Sequence, residues 1–393
     1  MSSDEVKTNN YDVYESFDDM DLNISLLRGI YNMGFEKPSA IQTKAIIPLS
    51  QGKDIIAQSQ SGTGKTATFS IGMLQRIDCS INMPQTIVLA PTRDLAKQIG
   101  KVVETLGKFM KNLNVHVSIG GERGERYSKS KQIKAQIIVG TPGRTFQYLE
   151  NGAICVDKIK TVVLDEADQM LSDDFKEQIY SILRVVSDSN DDVQIGLYSA
   201  TMPRNMLELS KTFMPNPIRI LVKQDELTLD GIRQFYVDVE RNEYKLRVVV
   251  DLYKSISVTQ CIIYCNRVKT VNYLLKRLRE MDYTVAGLHG KMEQYERNKI
   301  LKEFRSGKER ILITTDVLAR GIDIQQISLV INYDLPFEKE TYIHRIGRSG
   351  RFGRKGLAIN FITTFEKRKL DEIQEFYSTH IEELPSNYDE LLY

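Results

Sequence analysis

The chain has 393 residues, which is more than one typical hydrophobic core accommodates and therefore predicts two domains. Hydrophobic residues make up 41% of the chain and charged residues 27%, proportions that are ordinary for a soluble globular protein. The formal net charge of +1 neither supports nor excludes nucleic acid binding, because a local basic groove can be hidden within a neutral total.

The cysteines and the N-terminus indicate the cellular compartment in which the protein is expected to work. The four cysteines are Cys79, Cys155, Cys261 and Cys265. Only the last two have a spacing close enough to suggest a metal site, and they lie on an apolar strand-like run where packing is the better explanation. A reduced intracellular compartment fits this pattern. Residues 1–10 are polar, so we expect no signal peptide, and without a run of about eighteen apolar residues we expect no membrane span.

The first half of the chain alternates short apolar runs with helix-period segments. Residues 1–16 predict a flexible N-terminal tail, and residues 17–221 predict a domain with a parallel sheet and crossover helices. Its predicted strands are Asp54–Gln58, Thr86–Ala90, Val115–Ile119, Gln136–Val139, Thr161–Leu164 and Gln194–Tyr198. Its predicted helices include Lys65–Arg76, Asp94–Met110 and Ser172–Val186.

The alternation of apolar runs with helix-period segments stops near the middle of the chain and then restarts. Two prolines in residues 214–217 and the charged stretch after them predict a linker at residues 222–232, followed by a second α/β domain at residues 233–393. Its predicted strands are Cys261–Tyr264, Thr284–Leu288, Arg310–Thr314, Ser328–Asn332 and Leu357–Ile362. Its predicted helices include Lys269–Met281, Gln294–Arg305 and Glu366–Tyr377. This half has no phosphate-binding loop, so the two halves are not two independent nucleotide enzymes.

A phosphate-binding loop follows the first predicted strand, where residues 59–66 read Ser-Gln-Ser-Gly-Thr-Gly-Lys-Thr. Gly62 and Gly64 allow the backbone to turn its N–H groups toward phosphate oxygens. Lys65 supplies a positive charge for the β- and γ-phosphates, and Thr66 offers a hydroxyl to magnesium. The strict pattern has glycine at position 59, so the alternative is a glycine-rich turn before an ordinary helix.

Three acidic residues appear where another buried strand should end. Residues 165–168 read Asp-Glu-Ala-Asp directly after the apolar run 161–164. Open α/β sheets bind their ligands at this edge. The alternative is a solvated turn, but the upstream phosphate loop favours a site for magnesium and a nucleoside triphosphate.

Residues 344–355 form the densest basic segment, with five Lys or Arg residues, three glycines and no acid. Closely spaced guanidinium groups suit bidentate binding of phosphate. A basic nucleic-acid or localisation patch is an equal alternative when the segment is considered alone. A phosphate loop that lacks its own arginine favours arginines donated from this segment.

Two further polar segments follow predicted strands. Residues 314–323 read Thr-Thr-Asp-Val-Leu-Ala-Arg-Gly-Ile-Asp, and residues 199–201 read Ser-Ala-Thr. Either segment can be functional, or can cap the helix that follows it, and the two roles are compatible.

Taken together and in order, these motifs resemble those of the DEAD-box RNA helicases, in particular the subfamily of eukaryotic initiation factor 4A and its exon-junction-complex paralogue. The resemblance runs from Phe17 to the C-terminus. The matching segments are residues 34–42, with Phe17 upstream, and residues 57–66, 91–96, 120–121, 141–144, 165–168, 199–201, 264–267, 294–297, 314–323 and 344–351. It implies an α/β fold with two tandem RecA-like domains, each a mostly parallel sheet flanked by helices.

The resemblance implies ATP and Mg²⁺ as cofactors. The implied ATP-binding residues are Tyr31, Phe35, Lys37, Gln42, Gly62, Thr63, Gly64, Lys65, Thr66, Ala67, Asp323, Arg348 and Arg351. The implied catalytic residues are Lys65, Asp165, Glu166, Arg348 and Arg351, and the implied metal-binding residues are Thr66 and Asp165. Gln42 would read the adenine edge and Glu166 would orient or deprotonate the attacking water. Arg348 and Arg351 would act on the γ-phosphate, and Asp323 would reach the ribose.

It also implies an RNA-binding surface that contacts phosphates and 2′-hydroxyls with little sequence preference. The implied RNA-binding residues are Pro91, Thr92, Arg93, Gly120, Gly121, Thr141, Pro142, Gly143, Arg144, Asn266, Arg267, Gln294, Arg297 and Thr315. The residues implied in coupling between domains are Asp168, Ser199, Thr201, Arg320 and His344. Four positions depart from the family pattern without removing a group that the chemistry needs: Asp94, Thr145, Gln169 and Gln325.

The expected function is that of an ATP-dependent RNA helicase that binds single-stranded RNA and locally opens duplexes as two domains close, in translation initiation. The alternatives are an ATP-gated RNA clamp in mRNA processing or rRNA maturation and, in another class, a DNA translocase. The expected partners are single-stranded and duplex RNA and a helical-repeat scaffold protein of the initiation factor 4G type, with no membrane. We expect a monomer in the cytoplasm, with a nuclear location as the alternative.

Overall fold

The computed structural model describes residues 14–59, 62–120, 127–172, 175–221, 232–255, 260–316, 327–347, 356–377 and 379–385. The chain divides into two compact units, Met1–Val222 and Lys223–Tyr393. Each unit is built around its own parallel sheet, and each is taken separately below. No helix within the described ranges is long and apolar enough to cross a membrane.

The first unit contains a seven-stranded sheet with the order β3-β4-β2-β5-β6-β1-β7. Its strands are β1 (Ile55–Gln58), β2 (Thr86–Leu89), β3 (Val115–Ser118), β4 (Ile137–Gly140), β5 (Thr161–Asp165), β6 (Gln194–Ser199) and β7 (Ile218–Ile220). Its helices are α1 (Ile24–Asn32), α2 (Ala40–Ser50), α3 (Lys65–Gln75), α4 (Arg93–Leu106), α5 (Pro142–Glu150), α6 (Ala167–Met170), α7 (Lys176–Ser187) and α8 (Arg204–Ser210). All its strand pairs are parallel, so their carboxyl ends lie along one edge.

Both faces of this sheet are covered, which explains the unbroken apolar runs of its central strands. Successive side chains of a strand point to opposite faces, so Ile55 and Ala57 enter one hydrophobic cluster while Ile56 enters the other. In β5, Val163 likewise packs on the first face, and Val162 and Leu164 pack on the second. Burial of these faces holds the strand ends in a fixed array.

Helix α4 shows how the sequence sets a helix beside a strand end. Thr92 is the N-cap, and its hydroxyl accepts a hydrogen bond from the Leu95 backbone N–H at 3.2 Å. Leu95, Ile99 and Val103 recur at helical spacing and are buried against the sheet. The helix therefore begins immediately after β2, and the cap fixes Arg93 at that point.

The second unit contains another seven-stranded sheet, with the order β10-β11-β9-β12-β13-β8-β14. Its strands are β8 (Ile232–Asp238), β9 (Cys261–Tyr264), β10 (Val285–Leu288), β11 (Ile311–Thr314), β12 (Leu329–Asn332), β13 (Gly356–Ile362) and β14 (Glu382–Glu383). Its helices are α9 (Lys245–Ser255), α10 (Val268–Arg279), α11 (Gln294–Arg305), α12 (Lys339–Ile346) and α13 (Lys367–Tyr377). These strands also pair in parallel.

Every strand predicted from the sequence is present, with each end within one residue of its predicted position. Three observed strands have no counterpart among the predicted ones. Strand β7 forms the edge of the first sheet beside β1, and in the second sheet β8 pairs with β13 and β14 pairs with β8. Ile232, the last residue of the predicted linker, is the first residue of β8 and pairs with Gly356. Helix α4 ends at Leu106 rather than at Met110 because Gly107 caps it, and α7 begins at Lys176 rather than at Ser172.

Candidate nucleotide and RNA sites

Three adjacent strand ends bring together the phosphate loop, the acids of residues 165–168 and the Ser-Ala-Thr segment. In the sheet, Asp165 is paired with Tyr198, and Gln58 is paired with Ser199. The Ser59 backbone N–H donates to the Ser199 carbonyl oxygen at 3.1 Å. Because β5, β6 and β1 are neighbours, these segments share one stretch of the sheet edge.

The two glycines of the phosphate loop have the backbone conformation that the sequence predicts. Gly62 and Gly64 have φ angles of 89° and 97°, a region that residues with a Cβ rarely adopt. Lys65 begins α3, is largely buried, and donates from Nζ to the Ser59 carbonyl oxygen. The hydroxyls of Ser59 and Thr63 are 2.5 Å apart, so the serine that departs from the strict pattern braces the loop. Helix α3 directs its positive dipole end at this loop.

The predicted adenine-reading segment packs directly against the loop. Gln42 is buried, and its Oε1 accepts a hydrogen bond from the Ser39 backbone N–H at 2.7 Å. A Cβ at Gly64 would lie 2.8 Å from Gln42 Nε2, so the glycine is required for this approach. Tyr31 is exposed and donates its hydroxyl to Asp18. The remaining residues of this predicted group are Phe35, which is partly buried, and Lys37, which is exposed.

The acids at the end of β5 are buried beside one another. Glu166 has a φ of 51° in the left-handed region, and its backbone N–H donates to Asp165 Oδ1 at 3.0 Å. Burial, with the neighbouring Glu166 charge, raises the pKa of Asp165 to about 7, although the Lys65 ammonium opposes this shift. A divalent cation would supply the missing positive charge. The hard oxygen donors of Asp165 and Thr66 fit Mg²⁺ in this respect.

Asp168 connects the acids to the end of β6. The Thr201 hydroxyl donates to Asp168 Oδ2 at 2.6 Å, and the Gln169 backbone N–H donates to Asp168 Oδ1 at 2.9 Å. The Thr201 N–H in turn donates to the Ser199 hydroxyl at 3.3 Å. Three of the predicted coupling residues are therefore in contact within the first unit. Of the other two, His344 is buried in α12 of the second unit, and Arg320 lies outside the described residues.

The predicted RNA contacts of the first unit lie at the ends of the other strands. Pro91, Thr92 and Arg93 follow β2, Gly120 follows β3, and residues 141–144 follow β4. A Cβ at Gly120 would lie 3.6 Å from Arg93 Nη2 and 3.8 Å from Arg144 Nη2, so two guanidinium groups converge there.

Arg144 is held in place from two sides. Its Nη1 donates to Gln147 Oε1 at 2.9 Å, and its guanidinium lies 5.5 Å from the centroid of the Tyr148 ring. A guanidinium pair beside an open glycine is suited to phosphate oxygens of a nucleic acid backbone.

The first sheet thus separates its two sets of residues by strand order. The nucleotide set follows β5, β6 and β1, and the RNA set follows β3, β4 and β2. The boundary falls between β2 and β5, which are paired neighbours. We call these two stretches of the edge the nucleotide half and the RNA half.

In the second unit the predicted RNA contacts also follow three adjacent strands, β10, β11 and β9. Asn266 and Arg267 come after β9, and Arg267 is the N-cap of α10. Gln294 and Arg297 lie in the first turn of α11, which follows β10. The Thr315 backbone N–H donates to the Leu288 carbonyl oxygen at 3.4 Å, which ties the ends of β11 and β10 together.

Sequence reasoning gave no role to Arg345, yet this side chain is fully buried and is the centre of a polar network. Nε donates to Asp316 Oδ1 at 2.5 Å, and Nη2 donates to Asp316 Oδ2 at 2.9 Å and to Asn266 Oδ1 at 2.8 Å. Nη1 donates to the Asp334 carbonyl oxygen at 2.7 Å and to Asn332 Oδ1 at 3.3 Å. The only sequence signal was its place as the first arginine of the basic segment.

Five predicted site residues lie outside the described residues: Gly121, Arg320, Asp323, Arg348 and Arg351.

Two family models and several named proteins are similar to this chain. The family model described as DEAD/DEAH box helicase matches residues 39–209, and that described as Helicase conserved C-terminal domain matches residues 244–353. Eukaryotic initiation factor 4A of Caenorhabditis elegans is 54% identical over 393 residues, covering 100% of this chain and 97% of that protein. The ATP-dependent RNA helicase eIF4A of Schizosaccharomyces pombe is 53% identical, covering 98% of each.

Solved structures are similar over nearly the whole chain. S. cerevisiae Dbp5 bound to RNA and ADP BeF3 has a TM-score of 0.88 at 39% identity and covers 96% of this chain and 98% of its own. Mss116p bound to single-stranded RNA and AMP-PNP has a TM-score of 0.82 at 26% identity, with coverage of 98% and 82%.

Proposed function

We propose, since this chain belongs to the DEAD-box helicase family, that it is an ATP-dependent RNA helicase acting in translation initiation. Its relatives at 52–54% identity carry the name of initiation factor 4A. The observation that carries the proposal is the sheet order, because the predicted nucleotide residues follow the adjacent strands β5, β6 and β1 while the predicted RNA residues follow the adjacent strands β3, β4 and β2. An enzyme that uses ATP to remodel RNA needs both sites on one rigid frame.

The nucleotide half performs ATP hydrolysis. The loop N–H groups and Lys65 bind the β- and γ-phosphates, and the buried Gln42 amide selects adenine over guanine. Glu166 accepts a proton from the attacking water or orients it, and the hydrogen bond from its backbone N–H to Asp165 Oδ1 fixes it at the strand end. Thr66 and Asp165 would hold Mg²⁺, which supplies positive charge for the phosphates when it is bound.

Arginine fingers complete this chemistry in our proposal. Arg348 and Arg351 follow α12 in the sequence and carry permanent positive charge for the γ-phosphate. A cation that stabilises the transition state typically contributes about 10³-fold or more to the rate of phosphoryl transfer. In the full chain, Arg351→Ala should therefore lose ATPase activity at saturating RNA while it retains nucleotide-free RNA binding.

RNA binds along the RNA half and along the ends of β10, β11 and β9. Arg93, Arg144, Arg267 and Arg297 contact phosphates, and Thr315 contacts the sugar–phosphate backbone. Contacts of this kind give little sequence preference. A scaffold protein of the initiation factor 4G type supplies targeting, and the cytoplasm is the compartment where a translation factor works.

The proposed linker of residues 222–232 allows the two domains to close on their ligands, and this closure strains a bound duplex. The domain assignments that go with it are residues 17–221 and 233–393.

The test is the ATPase activity of the full chain with single-stranded RNA, single-stranded DNA and no nucleic acid. We expect RNA to stimulate hydrolysis several-fold and DNA of the same sequence to have little effect. ATPase activity that ignores RNA, or that DNA stimulates equally, would contradict the proposed function.

A further inference from the structure

The Arg345 guanidinium joins three segments that follow three neighbouring strands of the second sheet. Asp316 lies beyond the end of β11, Asn266 beyond the end of β9, and Asp334 beyond the end of β12. The three are linked to one fully buried side chain near the last residue of α12. Nε donates once and each Nη nitrogen donates twice, so every N–H of the guanidinium has an acceptor.

Asn266 makes three hydrogen bonds within this network. Its Oδ1 accepts from Arg345 Nη2 at 2.8 Å, and its Nδ2 donates to the Leu335 carbonyl oxygen at 2.8 Å. Its backbone N–H donates to Asp334 Oδ2 at 3.0 Å. An amide held at both its oxygen and its nitrogen is a fixed wedge between α12 and the end of β12. Rotation of this amide toward an RNA strand would break both side-chain hydrogen bonds.

We propose that Asn266 and Asp316 are positioning residues that act on ATP hydrolysis through Arg345, and that Asn266 does not contact RNA. The inference rests on the proposed function. The network fixes the end of α12 relative to the ends of β9 and β11, where Arg267 and Thr315 lie. Arg348 is three residues beyond Arg345 in the sequence, which is why we connect the end of α12 with the proposed arginine fingers.

The physical reason is the cost of leaving a buried guanidinium incompletely paired. Removal of the Asn266 amide takes one acceptor from Arg345 and leaves the Leu335 carbonyl oxygen without its donor. Lysine at position 345 keeps the charge but lacks the planar fork that spans Asp316 and Asn266 together. Either change allows the end of α12 to shift.

The experiment uses the full chain with Asn266→Ala, Arg345→Lys and both changes together. It measures kcat at saturating ATP and RNA, the RNA concentration for half-maximal stimulation, and Tm. We expect Asn266→Ala to lower kcat about ten-fold. This is the change expected if about 1.4 kcal/mol, on the order of one hydrogen bond to a buried charged group, is lost from holding the end of α12 in its working position. Half-maximal stimulation should shift less than about two-fold. The double change should cost little more than Arg345→Lys alone, because both act through one network.

The matched control is Tyr377→Phe. The buried Tyr377 hydroxyl donates to the Lys339 carbonyl oxygen at 3.0 Å, which holds the opposite end of the same helix α12. This variant should lower Tm slightly and leave kcat unchanged.

Three results would overturn the inference. A normal kcat with a large rise in the RNA concentration for half-maximal stimulation would make Asn266 an RNA contact. A lower Tm with normal kcat in Asn266→Ala would leave only a structural role. If the loss of kcat in the double variant were the product of the losses in the two single variants, Asn266 and Arg345 would act independently. Failure of the proposed function is distinguishable, because RNA would then not stimulate the unmodified protein.

Discussion

The nucleotide half and the RNA half of the first sheet differ in how far water reaches their functional groups. Lys65 and Glu166 are each 8% exposed and Asp165 is 4% exposed, whereas Arg93 and Arg144 are only partly buried. Hydrolysis needs charged groups in a water-poor site, where electrostatic interactions are strong. Binding to an RNA backbone needs cations that remain accessible and that salt can screen. One fold supplies both environments at neighbouring strand ends.

The largest expected effect is in the nucleotide half. Glu166→Gln keeps the shape of the side chain and removes the base, so ATP hydrolysis at saturating RNA should fall by about 10²- to 10⁴-fold. Lys65→Ala should instead weaken ATP binding. Nucleotide affinity measured by fluorescence, beside steady-state ATPase activity, separates the two. If Glu166→Gln hydrolysed ATP at the rate of the unmodified protein, another group would have to activate the water.

The next largest effect is expected on the selection of ATP over GTP. Gln42→Ala should reduce the preference for ATP over GTP about ten-fold, because the wrong base no longer leaves a buried amide unpaired. The measurement is kcat/KM for each nucleotide. Equal use of ATP and GTP by the unmodified protein would remove the basis for assigning Gln42 to adenine.

Substitutions in the RNA half should change the affinity for RNA and its dependence on salt. Arg144→Ala should weaken nucleotide-free RNA binding about ten-fold and lower the slope of log affinity against log salt by roughly 0.7, the value for one released counterion on a single strand. Lys131→Ala is the matched control, because its ammonium lies on the Tyr127 ring rather than beside Gly120. Loss of affinity in both variants alike would indicate a diffuse basic surface.

The smallest expected effect is on stability without nucleotide. The pKa of Asp165 is raised to about 7, so the folded state binds this proton more tightly than the unfolded state does. Stability from this group is therefore gained as pH falls through 7 toward the ordinary Asp pKa near 4, and is lost above 7. Asp165→Asn should raise Tm at pH 8 by about 3 °C and should abolish the stabilisation by ATP with Mg²⁺. An unchanged Tm would mean that the carboxylate is better solvated than its burial indicates.

The sequence predicted the strands of both units well because buried parallel strands are continuous apolar runs bounded by turn residues. It missed the short strand β7 and the two-residue strand β14, whose pairing depends on neighbours distant in the chain. It also missed β8, which begins at Ile232 within the predicted linker and pairs with β13. Helix ends were less accurate, since a C-cap such as Gly107 stops a helix inside a periodic pattern.

For the candidate site, too, local sequence predicted some residues and could not predict others. Motif order assigned Lys65, Glu166 and Arg144 from local sequence, and the sheet order places them in two halves of one edge. The role of Arg345 could not be read from the sequence, because its acceptors Asp316, Asn266 and Asp334 come from three different segments. Pairing of this kind exists only after the fold has brought strand ends together.

The most direct test of the division into two halves compares Glu166→Gln with Arg144→Ala in one pair of measurements. These are kcat for ATP at saturating RNA and the dissociation constant for RNA without nucleotide. The account predicts that Glu166→Gln loses kcat and keeps RNA affinity, and that Arg144→Ala keeps kcat and loses RNA affinity. If either variant lost both quantities to the same degree, the two halves would not be separate sites and the account would be contradicted.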